Sequence, residues 1–156
     1  MTTDTKIKVL YVDDEENNLL SFKATFRMKY QIFTAISAQD AILILKENPQ
    51  ISVIITDQRM PEMTGVEFLE SILDTYPDPV RLLLTGYADI NAVIDAVNKG
   101  KIFHYLSKPW KEEELSETID KAHELYLDKI SQKEFNQQIL RVNDQLEFLL
   151  RQKLLS

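Results

Sequence analysis

The chain contains no cysteine, which excludes disulfides, thiolate metal sites and thiol nucleophiles and accords with a reducing compartment. No apolar run approaches the ~18 residues of a membrane span, and the N-terminal MTTDTKIK lacks the apolar stretch of a signal peptide. Both absences predict a cytoplasmic protein with no membrane partner. Basic residues are the minority, 18 against 25 acidic ones, for a net charge of −7. That balance disfavours nucleic acid as a direct partner, although it does not speak to a basic DNA-binding module attached to this segment. Neither glycine nor proline occurs between Lys111 and Ser156, so nothing there interrupts a helix. What the chain does have is a 44% apolar share of 156 residues, enough for one proper core with a segment left over.

The apolar residues fall in short runs, Ile7–Val12, Gln31–Ile36, Ile51–Thr56, Val80–Leu84 and Ile102–Leu106, separated by helical patterns near Asn17–Met28, Gln39–Glu47, Val66–Thr75 and Ile90–Asn98. Nearly continuous Val, Ile and Leu in the third and fourth runs suits parallel strands covered on both faces. Leu19, Phe22 and Phe26 give the first helix one apolar face. Asn48-Pro49, Pro77-Asp78-Pro79 and Gly100 fall at the breaks. Five strand–helix units in succession predict an α/β fold with a doubly wound, five-stranded parallel sheet. Ligands of such sheets bind at the carboxyl ends of the strands, where the strand order reverses.

Those ends carry unusual residues. The stretch KVLYVDDEENN runs from four apolar residues into Asp13, Asp14, Glu15 and Glu16; the third strand ends at Asp57, the fourth at Thr85-Gly86, and the fifth is followed by Ser107-Lys108-Pro109. Each feature has an ordinary reading: acids after a strand cap helices, Asp57 and Thr85 suit turns, and Lys108 suits a solvated loop. Their convergence on one rim argues for a site. Two carboxylates ~4 Å apart repel by roughly 4 kcal/mol at an effective dielectric of ~20, and a hard divalent cation relieves this. Mg²⁺ favours one or two carboxylates, water and phosphate oxygens over an all-protein cage.

Four stretches, VLYVDDE (9–15), IITDQRMPEMTGVEFL (54–69), LLLTGYAD (82–89) and YLSKPW (105–110), in this order and spacing, resemble the receiver domain of two-component response regulators over roughly residues 6 to 128. The resemblance implies the flavodoxin-like receiver fold and a phosphorylation-activated switch rather than an enzyme. It implies that Asp57 accepts a phosphoryl group from a histidine kinase or phosphotransfer protein, and that Asp13, Asp14, Asp57 and the Arg59 carbonyl hold Mg²⁺, with Asp14 as direct ligand and Asp13 acting through water. Lys108 matches the lysine that contacts the phosphoryl oxygens, its bond to Pro109 being cis, and Gly86 leaves room beside Asp57. Thr85 and Tyr105 match the switch pair that remodels the surface of helix 4, strand 5 and helix 5. Gln58, Arg59 and Tyr87 are large groups flanking the site at positions that vary widely in the family.

Beyond residue 128 the chain predicts a helical extension, 129–156. Phe135, Ile139, Val142, Leu146 and Leu149 follow a heptad seam, flanked by neutral Gln138, Gln145 and Gln152, which permit self-pairing. An isolated helix of this length is marginal in water, so the expectation is a homodimer through this coiled coil, with a helix folded back on its own receiver as the alternative. Lys153 interrupts the seam. No stop signal stands near Leu155-Ser156, the pattern expected of a protein that continues into an output domain. His104 and His123 are expected to be structural or solvated and not phosphorylated, and Trp110 to pack at the start of helix 5. Two other classes compete. A Mg²⁺-dependent phosphohydrolase of the haloacid dehalogenase type also uses a carboxylate nucleophile, but wants Asp-x-Asp where Asp13 and Asp14 are adjacent. A flavin carrier wants a Ser/Thr/Gly-rich loop where this chain has acids.

Overall fold

A computed structural model describes residues 6–155. Strands β1 (Lys8–Val12), β2 (Gln31–Ala35), β3 (Val53–Asp57), β4 (Val80–Thr85) and β5 (His104–Ser107) alternate with helices α1 (Glu16–Phe26), α2 (Ala38–Glu47), α3 (Gly65–Ser71), α4 (Ile90–Asn98) and α5 (Glu112–Leu155), and a 3₁₀ turn, Tyr87–Asp89, precedes α4. All strand pairs are parallel, in the order β2-β1-β3-β4-β5. The predicted doubly wound five-stranded sheet is the observed one. After β2 the chain crosses back over β1 to lay down β3, so the order reverses between β1 and β3, and this reversal positions the site.

Burial explains the strand sequences. Every residue of β3 and β4 is buried, in keeping with their nearly continuous apolar runs, and the one charged interruption, Arg81, donates to the Pro79 and Lys101 carbonyls, whereas the edge strands β2 and β5 are partly exposed. One face of the sheet packs Val9, Tyr11, Val53, Ile55, Leu82 and Leu84 against Leu19, Phe22 and Phe26 of α1 and Leu115, Ile119 and Ala122 of α5. The other packs Leu10, Val12, Ile54 and Leu83 against α2, α3 and α4. Trp110 does pack at the start of α5, its ring centroid 5.5 Å from Phe26 and 6.0 Å from Phe22. Polar contacts tie α5 to the chain between α1 and β2: Lys29 Nζ lies 2.6 Å from Ser116 Oγ and 3.2 Å from Asp120, and the Tyr30 hydroxyl donates to Asp120 over 2.8 Å.

The clearest departure from expectation is α3, which ends at Ser71 rather than Thr75. Ser71 Oγ donates to the Phe68 carbonyl over 2.7 Å, a local bond that competes with the helical ladder. The first turn, by contrast, is tightly capped: Thr64 Oγ1 accepts from Glu67 N at 3.1 Å while Glu67 Oε1 accepts from Thr64 N at 2.9 Å, a reciprocal capping box. His104 is exposed on β5, and His123 Nδ1 lies 2.9 Å from Ser52 Oγ.

The chain divides after Tyr126 into two compact units. The described part of the second, residues 127–155, is helical, and Phe135, Ile139, Val142, Leu146 and Leu149 on it are all exposed. No helix among the described residues is long and apolar enough to cross a membrane.

Candidate functional site

The reversal of strand order sets the ends of β1 and β3 side by side. Asp13 and Asp14 leave β1, Asp57 closes β3, and each offers a carboxylate oxygen within 4.8 Å of the others. Asp13 is wholly buried and Asp57 is 4% exposed, so the cluster is a pocket floor rather than a solvated acidic surface. The Lys108 ammonium reaches across from the loop after β5 to donate to Asp57 Oδ1. Burial raises the Asp57 carboxyl above its ordinary value of 3.8; Lys108 opposes that rise, and Asp13 and Asp14 add to it. The ammonium therefore favours the ionised carboxylate that a nucleophile requires.

The three acids are not equivalent. Asp13 accepts from the Tyr11 hydroxyl at 2.7 Å and Asn18 Nδ2 at 3.1 Å through Oδ2, and from the Glu15 amide at 2.9 Å through Oδ1. These donors fix its orientation and satisfy much of its charge. No hydrogen bond to the Asp14 carboxylate is found among the described residues, and Asp14 is the half-buried member. Burial, followed by donation to Asp13, pushes the Tyr11 phenol far above its ordinary value, so it remains a donor at any physiological pH. The donor set, hard oxygens with one carboxylate left open, fits a hard divalent cation.

Thr85 is buried at the end of β4, its hydroxyl donating to the Gly86 carbonyl over 3.2 Å. Its own carbonyl accepts from the Lys108 amide at 3.0 Å, so the threonine and the lysine share one junction. The Lys108–Pro109 bond is cis, as expected. Tyr105 is half-buried on β5 and packs against the α2/α3/α4 side of the core. The Arg59 guanidinium is engaged by Asp89, its Nε donating to that carboxylate at 2.9 Å.

Several supporting residues escape a reading based on strand ends alone. Tyr11 lies two residues before Asp13, and strand alternation puts both on one face; that was the available signal. Gln58 does not line the pocket as an open flank: it is buried, its Oε1 accepting from Val66 N at 3.0 Å at the start of α3. The Tyr87 side chain lies outside the described residues. A Cβ at Gly86 would meet nothing within 4 Å, so that position is open space, whereas a Cβ at Gly65 would stand 2.4 Å from the Asp57 carbonyl oxygen. Gly65 is thus the glycine that close approach demands.

The sequence pattern of the response regulator receiver domain matches residues 9–120. The chain belongs to this family. This receiver domain is 38% identical over 122 residues to the hydrogenase transcriptional regulatory protein HoxA of Cupriavidus necator, covering 78% of this chain and 25% of that protein. It is 28% identical over 120 residues to the transcriptional regulatory protein FixJ of Rhizobium meliloti, covering 77% and 58%. Among solved structures, a receiver domain protein from Clostridium thermocellum superimposes with a TM-score of 0.71 at 33% identity, covering 76% of this chain and 94% of that one. An adenylate cyclase chain from Rhodopirellula baltica gives a TM-score of 0.82 at 29% identity, covering 85% and 98%. The chain spans about a quarter of the length of HoxA. As a receiver domain it is a phosphoryl-accepting signalling switch. The haloacid dehalogenase alternative finds no support in these relationships.

Proposed function

We propose that Asp57 is the phosphoryl acceptor and that a histidine kinase or phosphotransfer protein is the donor. The observation that carries this reading is the three-carboxylate pocket at the strand reversal with the Lys108 ammonium on Asp57. An Asp57 carboxylate oxygen attacks phosphorus in line, the P–N bond to the donor imidazole breaks, and the imidazole leaves with its electron pair and takes up a proton. The product is an aspartyl phosphate. Such transfer depends on positioning and charge neutralisation more than on covalent help from the protein. Asp14 directly, Asp13 through water, Asp57 and the Arg59 carbonyl would hold Mg²⁺, which when bound neutralises charge on the carboxylates and the phosphoryl oxygens. Lys108 supplies a compact point charge to those same oxygens.

The new group carries about two negative charges and additional acceptor oxygens. Thr85 turns its hydroxyl from the Gly86 carbonyl to the phosphoryl group, and Tyr105 moves into the space vacated, altering the surface of α4, β5 and α5. Shifting a two-state equilibrium from 1:99 to 99:1 takes about 5.5 kcal/mol, and one charged hydrogen bond supplies about 1.5–3. Lys108 and subunit association make up the remainder. In this reading residues 1–128 are the receiver and 129–156 a helical linker that pairs with a second copy along Phe135, Ile139, Val142, Leu146 and Leu149, leading to an output domain in a cytoplasmic regulator. The named relatives support output attached to a receiver: HoxA and FixJ are transcriptional regulators.

Incubation with beryllofluoride or acetyl phosphate and Mg²⁺ tests the acceptor: wild type is modified and Asp57→Asn is not. Equal modification of both proteins overturns the assignment. Light scattering on the full chain and on residues 1–126 tests the pairing, a dimer being expected only for the full chain.

A further inference from the structure

Arg59 and Asp89 join two segments that the proposed phosphoryl chemistry treats separately. Arg59 lies two residues after Asp57, and its Nε donates to Asp89 Oδ2 at 2.9 Å. Asp89 is the residue at the N-terminal boundary of α4, yet its side chain makes no capping hydrogen bond, although aspartate is among the best capping residues. Ser37 accepts from the Asp40 amide at the head of α2 and Thr64 from the Glu67 amide at the head of α3, both from extended backbone, whereas Glu15 before α1 makes no such bond and Asp89 closes the 3₁₀ turn at φ −108°, ψ 5°. The Asp89 carboxylate is instead engaged by the guanidinium.

We propose that Arg59 is a positioning residue that holds Asp89 off the N-terminus of α4 and releases it when Asp57 carries a phosphoryl group. The inference rests on the reading of Asp57 as acceptor. The Arg59 side chain is 72% exposed, and such an ion pair is weak and readily exchanged. A phosphoryl group two residues away offers a dianion in place of a monoanion, with oxygens suited to the guanidinium fork. Once freed, the Asp89 carboxylate accepts from the amides of Asn91 or Ala92, the second and third residues of α4, and complements the positive end of the helix. Charge arriving at the acidic pocket is thereby converted into order at the start of α4 by a route that does not pass through Thr85 and Tyr105.

The test is NMR amide exchange at Asn91 and Ala92 in the full chain. Adding beryllofluoride and Mg²⁺ to wild type slows exchange there by about 2- to 30-fold, the range of a helix cap. Arg59→Ala, which retains the backbone carbonyl, shows the same slowing without beryllofluoride and little more with it; Arg59→Gln behaves alike. Asp89→Ala shows slowing in neither condition. Wild-type exchange rates in Arg59→Ala without beryllofluoride, or slowing that survives in Asp89→Ala, overturn the proposal. Resonances around Asp57 that ignore beryllofluoride overturn the acceptor reading instead, and the Arg59→Ala comparison still decides whether the ion pair withholds the cap.

Discussion

Replacing Gly65 by alanine probes how tightly the acceptor loop is built. The added Cβ would lie 2.4 Å from the Asp57 carbonyl oxygen and 3.0 Å from both Leu83 Cδ1 and Thr56 Cγ2. The first contact is to backbone, and the other two are to buried side chains of β4 and β3, so no flexible end is available to yield. Overpacking of this kind costs about 1–3 kcal/mol. Alanine in place of glycine within a helix returns up to ~1 kcal/mol, and at the first residue of α3 the return is smaller. A net loss of roughly 2 kcal/mol lowers the Tm of a chain this size by about 4–8 °C. The backbone must also move where Gln58 O accepts from Gly65 N at 3.0 Å, which displaces the acceptor. Thermal denaturation followed by circular dichroism, paired with beryllofluoride titration read from Trp110 fluorescence, measures both effects. A variant with a Tm within about 1 °C of wild type and unchanged beryllofluoride affinity refutes the steric reasoning.

Three further outcomes follow from the contacts described. Tyr11→Phe leaves a buried Asp13 oxygen without its 2.7 Å donor; a loss of about 1–3 kcal/mol in urea denaturation is expected, and a neutral effect means that water substitutes. Thr64→Ala removes one half of the α3 capping box and costs ~1 kcal/mol, whereas Thr64→Ser restores most of it. His123 has its pKa lowered below 6.5, by burial above all, with Asp120 and Glu124 partly opposing. The folded state thus prefers the neutral ring, so this contribution to stability is complete above pH 6.5 and fades as the pH falls through the lowered folded value. Denaturation midpoints compared between wild type and His123→Asn across that window isolate it, and identical pH profiles remove the assignment.

The strand ends were legible because parallel strands advertise themselves as nearly continuous apolar runs, and the residues that follow them share one rim by topology. Asp13, Asp14, Asp57, Thr85 and Lys108 could therefore be placed together before any coordinates. The supporting contacts were less visible. Tyr11 reads as one more apolar strand residue until its hydroxyl is seen on Asp13. Gln58 and Arg59 are adjacent polar residues in the sequence, yet one is buried against α3 and the other is exposed on Asp89. Gly65 looks like an ordinary helix opener, since backbone crowding at the Asp57 carbonyl is a property of tertiary packing alone. The end of α3 is hidden from the sequence because apolar periodicity continues through Ile72 and Leu73, where the helical ladder gives way to tighter turns such as Leu73 N to the Glu70 carbonyl at 3.3 Å.

The root of α5 has a consequence for how information leaves the domain. Leu115, Ile119 and Ala122 seal the same apolar layer as Phe22 and Phe26, and burying each leucine or isoleucine is worth about 1.5–3 kcal/mol. Leu115 and Ile119 together thus place about 3–6 kcal/mol on the docking of this segment, to which the Lys29 and Tyr30 contacts to Ser116 and Asp120 add. If the proposed phosphoryl switch operates, residues 112–126 therefore respond by a small shift of a docked helix and not by its release.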